Sequence, residues 1–380
     1  MGKKDSQTTM YEHSEVKVKL LQTYLERYFN ILNNSKFIGD IHYFDLFCAE
    51  GIYSNGGKGS PIIVLESIKN AYYSSKHKNG TSGKFHCFFN DIDNKKIDTL
   101  INNINKQKLH YPEIGTINFE NKDYQILCPE ISTRIKNIKK NEKAFVFIDP
   151  YGYKEIRISD IKSLLEKGNS EVLLFLPTHF MFRFRENGTP ESLYEFINEI
   201  VPENEWPESK TGLDFIENLK NAFKKYLGET YFVDTFIISR EKNQFFCLFF
   251  FTSHIYGFDR MLDAKWKLDE EDGRGWKYNA ASDDLFSITE KEPNTEKFEN
   301  NLKDFLKDKQ KTNKEVYEFT LRNGHLTTHT TQILKKWQDE KRLITKNPDG
   351  TDGRKSAFYI AYKDFKLDQP IKLYLSLKKQ

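Results

Sequence analysis

Apolar residues gather in short runs separated by segments of helical spacing. Ile41 to Phe47, Phe85 to Phe89, Thr116 to Glu120 and Ala144 to Ile148 are each of strand length. A helix-like stretch lies between most neighbours, and this alternation predicts a parallel sheet built from βα units. Ahead of the first strand, Glu15 to Leu32 reads as an amphipathic helix with Val16, Leu20, Tyr24, Tyr28 and Ile31 at helical spacing and Lys17 among the polar positions. Ser60-Pro61 predicts the next helix start, Ser60 as cap and Pro61 at the first helical position. The glycine-rich loop before it, Asn55 to Gly59, reads as flexible. Further helices are expected after Asp93 to about Asn105, over Cys128 to Lys139 and over Ser159 to Lys167. Glu171 to Pro177 is a fifth strand ending in Thr178-His179, and a helical insert occupies about Pro190 to Leu227. Tyr231 to Ser239 and Gln244 to Ser253 are separated only by Arg240 to Asn243, which makes them an antiparallel hairpin.

From about Ser282 the chain turns polar, and a different pattern follows. Phe298 to Leu306, Lys314 to Leu321 and Thr327 to Leu343 read as helices, Pro348-Asp349-Gly350 as a turn and Ala357 to Ala361 as a strand. That is the order of a winged helix. The expected division is therefore a first domain over about 11–282 and a winged-helix domain over about 294–380. In the latter, Thr328 and Thr330 at the start of a recognition helix, Lys335 and Lys336 beyond them, and Arg354 and Lys355 on the wing suit base edges and phosphates. The alternative is a protein-docking module, since Asp339, Glu340, Asp349 and Asp352 dilute the basic patch.

Composition narrows the picture only in places. The 380 residues exceed one ordinary domain. Lys and Arg number 58 against 55 Asp and Glu, so any basic surface must be local. Four cysteines stand singly beside apolar runs, with no paired spacing, and read as reduced thiols of a cytoplasmic protein rather than a zinc site or disulfide frame. No stretch reaches the roughly 18–20 apolar residues of a membrane span. The histidines show no metal spacing, and Gly57-Lys58-Gly59-Ser60 lacks the spacing of a phosphate-binding loop.

The ends of the strands carry the candidate chemistry. In parallel sheets ligands bind beyond the carboxyl ends of the strands, and here a small-residue loop, two acids and an Asp-Pro turn converge there. In Asp45-Leu46-Phe47-Cys48-Ala49-Glu50-Gly51, Asp45, Phe47, Cys48, Ala49 and Gly51 are candidates for the methionine end of an adenosyl cofactor. Asp91 is placed for ribose hydroxyls, Asp93 as a helix cap, and Asp123 for an adenine amino group or as a turn residue. Asp149-Pro150-Tyr151-Gly152 would hold an acceptor. Asp149 and the Pro150 carbonyl would accept hydrogen bonds from an exocyclic amine, and Tyr151 would stack on its base. The alternative is a rigid turn after a buried strand.

Five parallel strands followed by a hairpin is the element order of class I methyltransferases. The chain further resembles the three-Cys-motif partner proteins, a bacterial family encoded beside a three-cysteine-motif protein. The matching pieces are His13 to Lys17, Asp45 to Gly51, Gly59 to Glu66, Phe88 to Asp93, Phe147 to Gly152 and Leu248 to His254. Where that family shows Ala-Gly-Pro-Gly, this chain has Cys48-Ala49-Glu50-Gly51. The resemblance implies a methyltransferase-like sheet, S-adenosylmethionine as cofactor and a possible three-Cys-motif partner protein. Transfer to a nucleic-acid amine, adenine N6 first, is the expected activity. A catalytically silent adaptor on the same fold is the alternative.

Overall fold

The computed structural model describes residues 10–152, 154–186, 191–201, 205–241, 244–277, 292–307 and 309–378. The described chain divides into two compact units. One runs to Gly257 and resumes at Gly275–Lys277; the other comprises Phe258–Arg274 and the residues from Glu292 onward.

The first unit opens with α1 (Glu12–Asn33) and then alternates: β1 (Ile41–Asp45), α2 (Ser60–Asn79), β2 (Phe85–Asn90), α3 (Asn94–Gln107), β3 (Gly115–Glu120), α4 (Tyr124–Asn137), β4 (Lys143–Ile148), α5 (Ile158–Leu165) and β5 (Ser170–Leu176). The insert holds α6 (Thr178–Glu186), α7 (Glu191–Ile200) and α8 (Gly212–Leu227), and the hairpin is β6 (Phe232–Glu241) with β7 (Gln244–Thr252). The sheet order is β3-β2-β1-β4-β5-β7-β6-β8, where β8 is the short strand Gly275–Lys277. Strands β1 to β5 pair in parallel, and β7 runs antiparallel to both β5 and β6. This is the class I methyltransferase-like sheet with its terminal hairpin.

Burial follows from position in the sheet. Central β5 is buried at every residue, whereas edge strand β3 alternates between half-buried and exposed positions. Alternation along β4 divides its residues between two faces. Ala144, Val146 and Ile148 join the core formed with α4, α5, α7 and α8. On the opposite face Phe145 meets Tyr24 and Tyr28 of α1, with ring centroids 5.7 and 5.8 Å away. Beneath them Glu171 is fully enclosed and accepts from Tyr24 Oη and, at 3.0 Å, from Thr252 Oγ1. Burial raises its carboxyl to about 7.

Several local expectations are corrected. Ser60 does not cap α2. The cap is Gly59, and the Ser60 hydroxyl turns inward to Asp45 at 2.7 Å. Thr178 and His179 begin α6 rather than ending the fifth strand. The Asn55–Gly59 loop is a hydrogen-bonded turn: Tyr53 N donates to Gly57 O and Gly56 N to Tyr53 O, both at 2.8 Å. Asn55 Nδ2 reaches Met10 O at 2.9 Å.

The second unit takes in most of α9 (Ile255–Leu268), then α10 (Glu296–Lys307), β9 (Lys311–Thr312), α11 (Asn313–Arg322), α12 (Thr327–Asp339), β10 (Leu343–Lys346), α13 (Tyr362–Phe365) and β11 (Tyr374–Leu377). Strands β10, β11 and β9 form an antiparallel sheet in that order, giving a winged helix-turn-helix. A reciprocal cap fixes the start of α11: Thr312 Oγ1 accepts from Glu315 N at 3.1 Å, and Glu315 accepts from Thr312 N at 2.8 Å. Leu302, Val316, Tyr317, Leu334, Trp337 and Leu375 fill its core. Residues of α9 close that core. Tyr317 Oη donates to Asp259 at 3.0 Å, and Trp266 Nε1 donates to Gly324 O at 2.9 Å. The helix from Thr327 stops at Asp339, because Lys341 adopts φ +59 and turns the chain into β10. Ala357 to Ala361 is not a strand. Ser356 and Tyr359 have φ of +59 and +54, which no extended ladder accommodates, and the pairing strand is β11 instead.

Candidate functional site

The loops after β1, β2 and β4 meet at the carboxyl ends of their strands, as a parallel sheet requires. Asn90, the last residue of β2, ties these ends together. Its Nδ2 donates to Leu46 O at 3.2 Å and Lys122 O at 3.0 Å, while its Oδ1 accepts from Lys122 N at 3.0 Å. Asp91 follows, almost wholly buried. Its Oδ2 accepts from Ala49 N at 3.1 Å and its Oδ1 from Asp93 N at 2.9 Å. One carboxylate therefore shapes the loop after β1 as well as its own turn. Ala49 is held at φ +50, a conformation that costs an L-residue with a Cβ. Gly51 lies at φ +76, where a Cβ would also stand 2.6 Å from Leu100 Cδ1.

A small cavity of about 40 Å³ sits in this loop, with Phe47, Cys48, Ala49, Gly51, Ser60 and Asp149 in its wall. Four sequence-selected residues of the β1 loop, Phe47, Cys48, Ala49 and Gly51, are thus gathered in one place with Asp149, the acid just past β4. Asp45 lies beneath, fully buried, bonded to Ser60, and raised to about 7 by burial with Asp149 adding to the shift. The Cys48 thiol is pushed up by burial and by the nearby Asp45 and Asp91 carboxylates, so it stays protonated and unreactive.

Lys17 is a residue of this candidate site that sequence reasoning missed. It projects from α1 into the site and forms an ion pair with Asp149 Oδ2. Its side chain is 10 % exposed and that of Asp149 19 %. The ammonium also lies 4.5 Å from the centroid of the Phe175 ring. Burial works against the charge, but Asp149, Tyr53 and Asp45 outweigh it and hold the Lys17 pKa above its ordinary value. A signal was present: Lys17 stands on the same helical stripe as Leu20, Leu21, Tyr24 and Tyr28, all of them buried.

The remaining candidates are placed differently from one another. Pro150 is buried and makes the turn rigid. Tyr151 is 47 % exposed, and its hydroxyl lies on Asp91 Oδ2 at 3.3 Å while accepting from Lys96. The ring is thereby drawn toward the β2 end, with Lys96 Nζ 4.5 Å above it. Asp93 caps α3 through Lys95 N at 2.9 Å, and Asp123 caps α4 through Gln125 N at 2.8 Å. Asp123 therefore has the turn role, with one oxygen committed to the helix.

In the second unit Thr328, Lys335 and Arg354 are exposed. Lys336 is paired with Glu299 at 3.0 Å and Lys355 with Asp339 at 2.8 Å. Thr330 is fully buried, and its hydroxyl is 2.7 Å from that of Thr320, so it does not reach a ligand surface. Three positions after Thr327, it falls on the inward stripe of α12 with Leu334 and Trp337.

Among the described residues no helix is long and apolar enough to cross a membrane, and no group of His, Cys, Asp and Glu could hold a metal ion. None of the four cysteines forms a disulfide.

The family model of the GMT-like wHTH domain matches residues 276–350. No curated protein matches the chain in sequence. Among solved structures it is similar to the O-methyltransferase TomG from Streptomyces achromogenes, involved in tomaymycin synthesis and in complex with SAM. The identity is 8 %, the match covers 61 % of this chain and 79 % of that one, and the TM-score is 0.35. A putative rRNA-methylase from Clostridium thermocellum is 12 % identical over 60 % of this chain and 94 % of its own, with a TM-score of 0.29. An O-methyltransferase from Bacillus cereus in complex with SAH is 12 % identical over 65 % and 91 %, with a TM-score of 0.33. Likeness this low does not extend to activity or ligand.

Proposed function

We propose that the first unit binds S-adenosylmethionine and transfers its methyl group to a nucleic-acid amine, with adenine N6 as the first acceptor to test. The observation that carries this reading is the meeting of the Asp91-braced loop with Asp149 at the strand ends, where the cavity of about 40 Å³ has to widen by movement of the loop after β1 to admit the cofactor. The donor set fits the cofactor in two parts. Asp91 is a buried carboxylate whose Oδ1 retains accepting capacity for a ribose hydroxyl beside Asp93 N, and whose Oδ2 gains it when the Tyr151 hydroxyl moves away. The small-residue loop from Cys48 to Gly51 lets the main chain approach the methionine end. When bound, the cofactor supplies an electrophilic methyl group.

The protein's part is orientation. Lys17 holds Asp149 Oδ2, which leaves Oδ1 to accept from the acceptor amine and fix the direction of its lone pair. The Pro150 carbonyl takes the second amine hydrogen. Tyr151 is within reach of both Asp91 and the acceptor side, so its ring covers the ribose end and turns to stack on a base when substrate enters. The winged helix supplies nucleic-acid affinity. A three-Cys-motif protein is the partner that the family resemblance suggests.

Tritium transfer from labelled cofactor to a mixed DNA and RNA pool tests the proposal. Asp149→Ala should abolish transfer while leaving cofactor binding nearly intact, and Asp149→Asn should keep part of it because an amide oxygen still accepts. Equal transfer by wild type and Asp149→Ala would return Asp149 to a structural role.

A further inference from the structure

An open groove of about 730 Å³ lies in the second unit, and of α12 it takes in only Thr327 and Thr331. One wall is the first turn of α12, with Thr327 and Thr331. The other is the segment after the wing, with Tyr359, Lys363 and Lys372. Tyr359 is the unusual member. Its φ is +54, and its ring remains 37 % exposed. Phe358 and Ile360 on either side are buried and anchor the segment, so the backbone between them is bent to present this ring outward.

That conformation is actively maintained. Asn313 is fully buried, and its Nδ2 donates to Tyr359 O at 2.9 Å. Its Oδ1 accepts from Lys372 N at 3.0 Å. One amide thus fixes two stretches of the same groove. At φ +54 a glycine would carry less backbone strain, so the Tyr359 ring is held in place at a conformational cost. Lys372 Nζ lies 5.6 Å from the ring centroid and is paired with Asp364 at 2.7 Å, while Lys363 and Lys366 are exposed at the groove edge beside Asp368. Hydroxyls, lysines and an upturned aromatic in one concave surface are the elements of a stacking platform for unpaired bases.

We propose that this groove binds a single-stranded segment of nucleic acid, one base stacking on Tyr359 with the backbone held by Lys363, Lys366 and the hydroxyls of Thr327 and Thr331. The inference rests on the nucleic-acid reading of this unit and changes the site and the form of ligand. A groove of this size admits a splayed base but not a duplex. On the conventional duplex-reading surface Thr330 is buried and does not reach a ligand.

The test is fluorescence anisotropy with the full chain and labelled DNA or RNA of about 12 nucleotides, single-stranded or as duplex. Wild type should prefer the single strand. Tyr359→Gly removes the ring and relieves the backbone. It should weaken single-strand binding roughly 5- to 150-fold. Lys363→Gln, at an exposed side chain, should weaken it and reduce the salt slope by about 0.7. If those two variants bind as wild type while Lys335→Gln with Arg354→Gln loses affinity, the groove is overturned and the nucleic-acid reading stands. If wild type binds neither form, the nucleic-acid reading fails and the groove proposal with it. A fall in thermal midpoint for Tyr359→Gly, with Lys363→Gln binding normally, would make Tyr359 a packing residue and overturn the proposal.

Discussion

Replacing Lys17 by Met keeps the length of the side chain and removes only the charge that faces Asp149. The ammonium and Asp149 Oδ2 are directly paired, with side chains 10 % and 19 % exposed, and buried Asp45 lies close by. Removing one partner of a buried pair leaves the other charge unpaired and costs about 3–5 kcal/mol. Asp149 keeps some contact with water, which places the expected loss at about 3 kcal/mol. Asp149→Asn in the Lys17→Met background removes the stranded charge, so the double variant should recover much of that loss. The cycle is measured by urea unfolding of wild type, both single variants and the double variant, followed by circular dichroism. A coupling energy of at least about 1.5 kcal/mol is expected. Single-variant losses that add to within about 0.5 kcal/mol would refute the reasoning, because independent sites behave that way. Lys17 would then be an incidental neighbour of Asp149.

Three further outcomes follow from the structure. Burial raises the carboxyls of Asp45 and Glu171 to about 7; the folded chain then keeps protons that the unfolded chain releases from about pH 4 upward. Their contribution to stability is present below that pH and is lost as pH rises to about 7. Glu171→Gln should flatten that decline in a series of thermal midpoints, and an unchanged slope would contradict the assignment. Ala49→Gly relieves the left-handed backbone at φ +50, so calorimetry should show stability unchanged or raised by up to about 1 kcal/mol; a loss beyond about 1 kcal/mol would mean that the Ala49 methyl is a packing group. Thr330→Val breaks the buried bond to Thr320 and should cost about 1 kcal/mol without changing the salt dependence of nucleic-acid binding; a changed slope would put Thr330 back at the interface.

The parallel strands were legible because their apolar runs are continuous and bounded by turns, and the acids at their ends stand where a sheet of this kind presents them. Asp91 was selected on that ground, and Asp149 on that ground and on the Asp-Pro-Tyr-Gly turn that it opens. Lys17 was not, since a lysine on an amphipathic helix reads as solvent-facing until its position on the buried stripe is counted. Thr330 failed in the opposite sense, as a small polar residue at a helix start whose hydroxyl is satisfied by Thr320 inside the core. Ala357 to Ala361 has the composition of a strand, and only the positive φ values of Ser356 and Tyr359 prevent one. Strand β8, with three residues, is too short to carry a period and gains its order from pairing with β6.

The central claim is that the crevice at the ends of β1, β2 and β4 holds an adenosyl cofactor, with Asp91 on the ribose. Calorimetric titration with S-adenosylmethionine and its demethylated product, for wild type and Asp91→Ala, tests it most directly. Charge-assisted hydrogen bonds contribute about 1.5–3 kcal/mol each, so the account predicts saturable binding by wild type and at least about tenfold weaker binding by Asp91→Ala. Asp149→Ala should bind as wild type does. No heat of binding for wild type at millimolar cofactor would contradict the enzyme reading and leave a methyltransferase-like fold acting as an adaptor.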